Sequence, residues 1–272
     1  MIENKVVLNN GVEMPLLGLG IYAPGQKNEV SQAVRWALET GYRMIDTASV
    51  YQNEEEVGQG LQDSGIPRDA VFITSKVWND DQGYDSTLRA YDQSLKRLQT
   101  DYLDLYLIHW PVREKRQETW RALETLYSEK RVRAIGVSNY YEPHLNELFT
   151  YATVVPAVNQ FEQSPFLYRP ELLSYCREKG IQPEGYSPLV RGQEESNQVL
   201  EAIAQKHDKS TYQVLIRWAL QQGIVTIPKS TNQARIQANF DVWDFDMTEE
   251  EMAKLNVLNA NIRVAEDPMD YL

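Results

Sequence analysis

Short apolar runs rich in β-branched residues alternate along this chain with longer segments whose apolar positions recur every three or four residues. The short runs, at 17–19, 43–46, 71–76, 103–109, 133–138, 157–160, 181–187 and 224–228, predict eight strands. The longer segments Val30 to Thr40, Glu54 to Asp63, Ser86 to Leu98, Thr119 to Glu129 and Pro170 to Lys179 predict helices. Gly41, Gly65 and Gly180 stand just past three of them, where a left-handed residue ends a helix at no Cβ penalty. Tyr212 to Gln221 and Glu249 to Leu258 read as extra helices near the C-terminal end, the second entered through Asp246-Met247-Thr248 as a cap. Ahead of them all, Lys5 to Leu16 reads as a hairpin turning at Asn9-Asn10-Gly11, a lid on one end of the fold. After Arg263 the tail reads as short and irregular.

Strand-then-helix units repeated without a linker or low-complexity segment favour a closed parallel barrel over an open sheet. The expectation is an α/β fold, a (β/α)8 TIM barrel with an N-terminal β-hairpin and extra C-terminal helices, built as one domain over residues 1–272.

Composition narrows the partners. The net charge of -12 repels nucleic acid and anionic lipid at long range, so an anionic ligand needs a local basic pocket. No run approaches the ~18 apolar residues of a membrane span, and the N-terminus has no apolar leader core, which points to the cytoplasm. The one cysteine, Cys176, allows no internal disulfide and sits where a helix face packs. No interface signal stands out, so a monomer is expected.

A barrel of this kind places its active site at the carboxyl ends of its strands. Asp46, Lys76, His109, Ser138 with Asn139, and Gln160 end the second to sixth predicted strands. One polar residue finishing a strand is ordinarily a satisfied structural group, whereas five on one rim point to a site. Asp46 and Lys76 form an acid and an ammonium able to pair, with Tyr51 one short loop beyond. A phenol normally titrates near ~10, and a neighbouring cation would lower that value and make Tyr51 a usable general acid. His109 sets a hydrogen-bonding group beside the apolar Trp110-Pro111.

The segments GYRMIDTASVYQNEEEVGQGL, VFITSKVW, DYLDLYLIHWP, IGVSN, VNQ and IPKST, in this order, resemble the aldo-keto reductases over nearly the whole chain. The resemblance implies NADPH-dependent reduction of aldehydes and ketones by a tetrad of Asp46, Tyr51, Lys76 and His109, with Tyr51 protonating the carbonyl oxygen. It implies that Ser138, Asn139 and Gln160 hold the nicotinamide carboxamide, that Tyr186 stacks on the ring, and that Ser187 and Leu189 line the pyrophosphate path. Lys229, Ser230, Arg235 and Asn239 would bind the adenosine 2'-phosphate, at a strand end that already suggests a phosphate by its two cations. At Ala238 the chain departs from the glutamate common in the family, which puts the adenine contacts in question. Tyr22, Trp78 and Trp110 would wall the substrate pocket, and the short tail suggests an open site tolerant of glyoxals, aromatic aldehydes and keto-sugars.

Three other readings rank lower. Gly18 to Ala23 fits the letters of an open-sheet dinucleotide loop, but Pro24 and Gly25 follow where its helix should begin. A metal-dependent barrel hydrolase finds only His109, His144 and His207, at no ligand-like spacing, so no metal is expected. An NADPH-binding redox sensor with little turnover would share the fold, and an intact tetrad argues against it.

Overall fold

A computed structural model describes residues 4–23, 27–193 and 196–272. Strands β1 (Lys5–Val7) and β2 (Glu13–Pro15) form an antiparallel hairpin. Leu8 and Val12 close its turn, and Gly11 takes the positive φ of 85° that the sequence requires there. Asn9 and Asn10 donate to the carbonyls of Pro156 and Arg133, which fastens the hairpin across the amino end of the barrel as a lid.

Eight parallel strands follow: β3 (Leu19–Gly20), β4 (Met44–Asp46), β5 (Phe72–Val77), β6 (Leu103–Ile108), β7 (Val132–Ser138), β8 (Val158–Glu162), β9 (Gln182–Tyr186) and β10 (Val225–Thr226). Each pairs with the next in sequence, and every residue of β5 and β6 is buried, as expected of strands covered on both faces. Backbone bonds from Gly18 to Thr226, Thr226 to Leu16 and Gly20 to Pro228 join the last strand to the first and close the barrel. Gly20 has room for no side chain there, because a Cβ would lie 2.7 Å from the Ile227 carbonyl oxygen. β9 and β10 are shorter than the sequence suggests. Regular pairing ends at Tyr186, where Ser187 takes a left-handed φ of 51°, and at Thr226, just ahead of Pro228, which has no N–H to donate.

Helices α1 (Lys27–Thr40), α2 (Glu54–Ser64), α3 (Tyr84–Leu98), α4 (Arg116–Ser128), α5 (Glu142–Leu148), α6 (Pro170–Glu178), α7 (Gln198–His207), α8 (Thr211–Gln221), α9 (Gln233–Phe240) and α10 (Glu249–Asn256) surround the sheet. Thr248 caps α10 in a capping box with Glu251, as the sequence suggests. The extra helices are distributed differently from the expectation. α8 packs against β10 and is a barrel crossover, whereas α7 lies outside it against α8 and α10. α7 escapes the periodicity argument because only Leu200, Ile203 and Ala204 of its ten residues are buried.

At the amino end, Asp104 of β6 is buried and fully engaged. It accepts from Arg68 Nη2 at 2.8 Å, Arg133 Nη1 at 2.6 Å and the Ile73 amide at 2.9 Å, tying three strands together. Cys176 is buried on α6 with its thiol pushed up to about 11 by burial, in keeping with inert packing. Read in the sequence as helix-surface residues, His144 and His207 are instead both held by neighbours. His144 is buried, where its Nδ1 accepts from the Tyr141 amide at the start of α5, and His207 pairs with Glu251 of α10.

Candidate active site

The carboxyl end of the barrel gathers the polar strand ends. Lys76 of β5 is fully buried and donates to Asp46 Oδ1 at 2.6 Å and to the Thr47 carbonyl at 2.9 Å. Its ammonium lies 5.3 Å from the centre of the Tyr51 ring, which sits in a short 3-10 turn over Ser49–Tyr51. The His109 ring meets Tyr51 edge-on with centres 5.7 Å apart and Trp78 with centres 5.2 Å apart. All four residues of the expected tetrad therefore share one small volume.

The sign of the electrostatic effect on Tyr51 differs from expectation. Burial pushes its phenol well above the ordinary tyrosine value, and Asp46, Tyr22 and Glu184 push in the same direction. Burial is the largest cause, and Lys76 does not offset it because two of its protons are taken by Asp46 and Thr47. His109 is held well below the ordinary histidine value by burial and by the Lys76 charge, so it is neutral at neutral pH. Its Nδ1 is buried with no hydrogen-bond partner.

Next to the tetrad, Asn139 follows β7 with φ at 64°, a left-handed conformation that asparagine tolerates. Its Nδ2 donates to the His109 carbonyl and to Ser138 Oγ, and its Oδ1 accepts from the Tyr186 hydroxyl at 2.9 Å. Gln160 of β8 donates through Nε2 to Asp46 Oδ2 at 2.9 Å and to Glu184 Oε2 at 3.0 Å. Ser138, Asn139, Gln160 and Tyr186 thus form one network joined to the tetrad. Ser187 and Leu189 continue from Tyr186 along the mouth.

Across the closing seam, Lys229 bridges to Gly20. Burial depresses its ammonium, Glu29 opposes that, and the Arg235 charge depresses it further, so two cations stand near each other at this strand end. Asn232 caps α9 by accepting from the Arg235 amide, while Ser230 and Asn239 are buried and Arg235 is exposed. A paired cationic group with hydroxyl and amide neighbours suits a phosphate dianion. Pro24 and Gly25, the residues that argued against an open-sheet loop, lie outside the described residues.

The substrate side is more enclosed than the short tail suggests. Tyr22 is 51% exposed beside Tyr51, Trp78 is half-buried and Trp110 is 8% exposed. Glu162 accepts from the amides of Val264 and Ala265, Arg263 donates to Tyr141 Oη, and Arg116 donates to the Tyr271 carbonyl. These tethers lay the tail over the mouth, where the Tyr271 ring stacks on Trp110 with centres 5.3 Å apart. Sequence reasoning missed Glu162, Arg116 and Tyr271, because no local pattern reports a contact spanning a hundred residues or more. It also missed Glu184, whose signal was a lone acid inside a predicted barrel strand.

Among the described residues, no group of three His, Cys, Asp or Glu is placed to hold a metal ion, and no helix is long and apolar enough to cross a membrane.

Comparison with known proteins agrees with this geometry. Residues 16–260 match the model of the aldo/keto reductase family. The glyoxal reductase of Bacillus subtilis is 52% identical over 100% of this chain and 98% of its own. An aldo-keto reductase, MGS-M4, from a Medee basin deep-sea metagenome superposes with a TM-score of 0.93 at 47% identity, covering 96% of this chain and 97% of its own. The Bombyx mori aldo-keto reductase, solved in complex with NADP, superposes with a TM-score of 0.92 at 37% identity, covering 98% of this chain and 96% of its own. A match of this extent, on a parallel barrel with these strand ends, shows that the chain belongs to the aldo/keto reductase family, oxidoreductases that act on carbonyl groups.

Proposed function

We propose that this protein reduces small aldehydes and ketones with NADPH, that Tyr51 is the proton donor and that residues 1–272 work as one barrel domain. The observation that carries the reading is the convergence of Tyr51 and a neutral His109 over a buried Lys76–Asp46 pair at the carboxyl end of the barrel. Reduced nicotinamide, when bound, supplies the hydride.

The protein's part is to orient the carbonyl and supply a proton. A neutral imidazole donates from one nitrogen only, and a buried unpaired N–H is rarer than an unpaired acceptor, which assigns the proton to Nε2 rather than to the orphaned Nδ1. His109 Nε2 then directs the carbonyl oxygen toward the Tyr51 hydroxyl. A phenol held protonated is a competent donor here, because the alkoxide forming on the substrate is the stronger base. Lys76 and Asp46 keep a fixed dipole beneath the phenol, ready when charge develops on oxygen.

Ser138, Asn139 and Gln160 would hold the carboxamide of the cofactor. Tyr186, fixed by its bond to Asn139, would back the nicotinamide ring, and Ser187 and Leu189 would follow the pyrophosphate. Lys229, Ser230, Arg235 and Asn239 would bind the 2'-phosphate, which favours NADPH over NADH. Tyr22, Trp78 and Trp110, narrowed by Tyr271, would wall a pocket for compact carbonyl compounds, glyoxals first, the compound for which a relative is named.

The test is the oxidation of NADPH by the purified protein with a panel of small aldehydes, glyoxal and methylglyoxal among them. Steady consumption that prefers NADPH to NADH is expected. Tight cofactor binding without consumption would replace the reductase by a nucleotide-binding sensor.

A further inference from the structure

The network around Asp46 contains one acid that no step above uses. Glu184 lies on β9 inside the barrel and is 0% exposed. Its register partners are Gln160 on β8 and Val225 on β10, and partners in parallel strands direct their side chains to the same face. Its Oε2 accepts from Gln160 Nε2, and the other hydrogen of that same amide goes to Asp46 Oδ2. One amide thus bridges two carboxyl groups inside the barrel, both near enough to Tyr51 to act on its phenol.

The charges there do not balance if both acids are ionised. Lys76 is the one cation bonded to this group of side chains among the described residues, and its partner is Asp46 at 2.6 Å. Gln160 and Val225 bring no charge, Tyr51 above is a neutral phenol, and no cation bonds Glu184. A second carboxylate would leave an uncompensated negative charge in a closed interior, which is costly. Glu184 Oε1 is buried and has no hydrogen-bond partner, a poor place for an anionic oxygen that wants several donors.

We infer that Glu184 is a positioning residue for proton transfer: as an uncharged acid it leaves Tyr51 above a balanced Asp46–Lys76 pair, and its loss of a proton switches reduction off on the alkaline side. This rests on the proposed role of Tyr51 as proton donor. The direction follows from electrostatics. When Tyr51 gives up its proton, negative charge grows on the phenolic oxygen, and a carboxylate at Glu184 opposes that growth. Burial, followed by the neighbouring Asp46, pushes the Glu184 carboxyl up to about 8, with Gln160 and Lys76 opposing. An alkaline limb set by Glu184 is therefore expected near that value.

Two measurements on Glu184→Gln, which copies the neutral acid in shape and still accepts from Gln160, test this. In the wild type, kcat for aldehyde reduction should fall roughly tenfold per pH unit above the apparent value, and in the variant the fall should be absent up to about pH 9.5 while kcat at pH 7 stays within about threefold. The second reads folding and needs no turnover. A carboxyl whose folded value is raised binds more protons folded than unfolded between about 4.5 and about 8, so wild-type stability should decline across that window and level off above it. Glu184→Gln should lack this decline and unfold at a higher temperature than the wild type at pH 9, with the two close at pH 5. An unchanged decline in the variant would overturn the inference, whatever the activity. A stability difference as described, with an alkaline limb common to both proteins, would keep Glu184 neutral but remove its link to Tyr51 and overturn the positioning role. Absence of reduction in the wild type at any pH would instead strike the proposed function, and the unfolding series would still decide the state of Glu184.

Discussion

The two ends of this barrel treat buried polar groups in opposite ways. At the amino end, Asp104 has both carboxylate oxygens engaged by Arg68, Arg133 and a backbone amide, and Asn9 and Asn10 fasten the hairpin to carbonyl groups. At the carboxyl end, His109 Nδ1 and Glu184 Oε1 lack partners, and Asn139, Ser187, Val190 and Arg191 all take positive φ. Satisfied polar groups stabilise, whereas strain and unpaired groups persist where the surrounding fold holds them for another purpose. The contrast teaches that one rim is built for folding and the other for chemistry, a division usual for this architecture.

Substitutions can break that contrast or sharpen it. The largest effect belongs to the mouth: Tyr51→Phe should lower kcat by about 10²–10⁴-fold, with NADPH affinity and unfolding temperature nearly unchanged. Next, Asp104→Ala at the floor leaves two arginines facing each other without their acid. It should cost about 2–3 kcal/mol in denaturant unfolding, less than a wholly buried pair because Arg133 reaches solvent, while kcat per folded molecule holds. Arg235→Ala should reduce the preference for NADPH over NADH roughly tenfold, read as the ratio of kcat/KM values, through loss of one charged contact to the 2'-phosphate. The smallest effect is expected of Tyr271→Ala. Loss of its stacking on Trp110, worth about 0.5–1.5 kcal/mol, should change KM for bulky aromatic aldehydes a few-fold and leave glyoxal nearly untouched. A floor variant that lost turnover at full folding, or a mouth variant that lost stability, would dissolve the distinction.

The same contrast explains what the sequence discloses. Strand ends are legible because a polar residue closing an apolar run, as in MID, TSK or LIH, marks both the strand and the rim at once. The hairpin is legible because Asn-Asn-Gly has a local reason to turn. Glu184 is not, since Gln182-Pro183-Glu184-Gly185 has weak strand chemistry and the meaning of the acid depends on Asp46, far away in sequence. The tail reads as open in the sequence because its anchors, Glu162 and Arg116, lie 102 to 155 residues from their partners. The sign of the effect on Tyr51 is beyond sequence as well. It turns first on how deeply the phenol is buried and then on the Asp46 charge beside it, neither of which spacing reports.

The central claim, that Tyr51 serves chemistry and not folding, is tested most directly by one comparison: single-turnover oxidation of bound NADPH by glyoxal in wild type and Tyr51→Phe, with each protein first shown to be folded and saturated with cofactor. The account predicts a fast phase in the wild type that is slowed at least about a hundredfold in the variant. A fast phase of equal rate in Tyr51→Phe would mean that the proton comes from elsewhere, and the assignment of the mouth would have to be rebuilt around another donor.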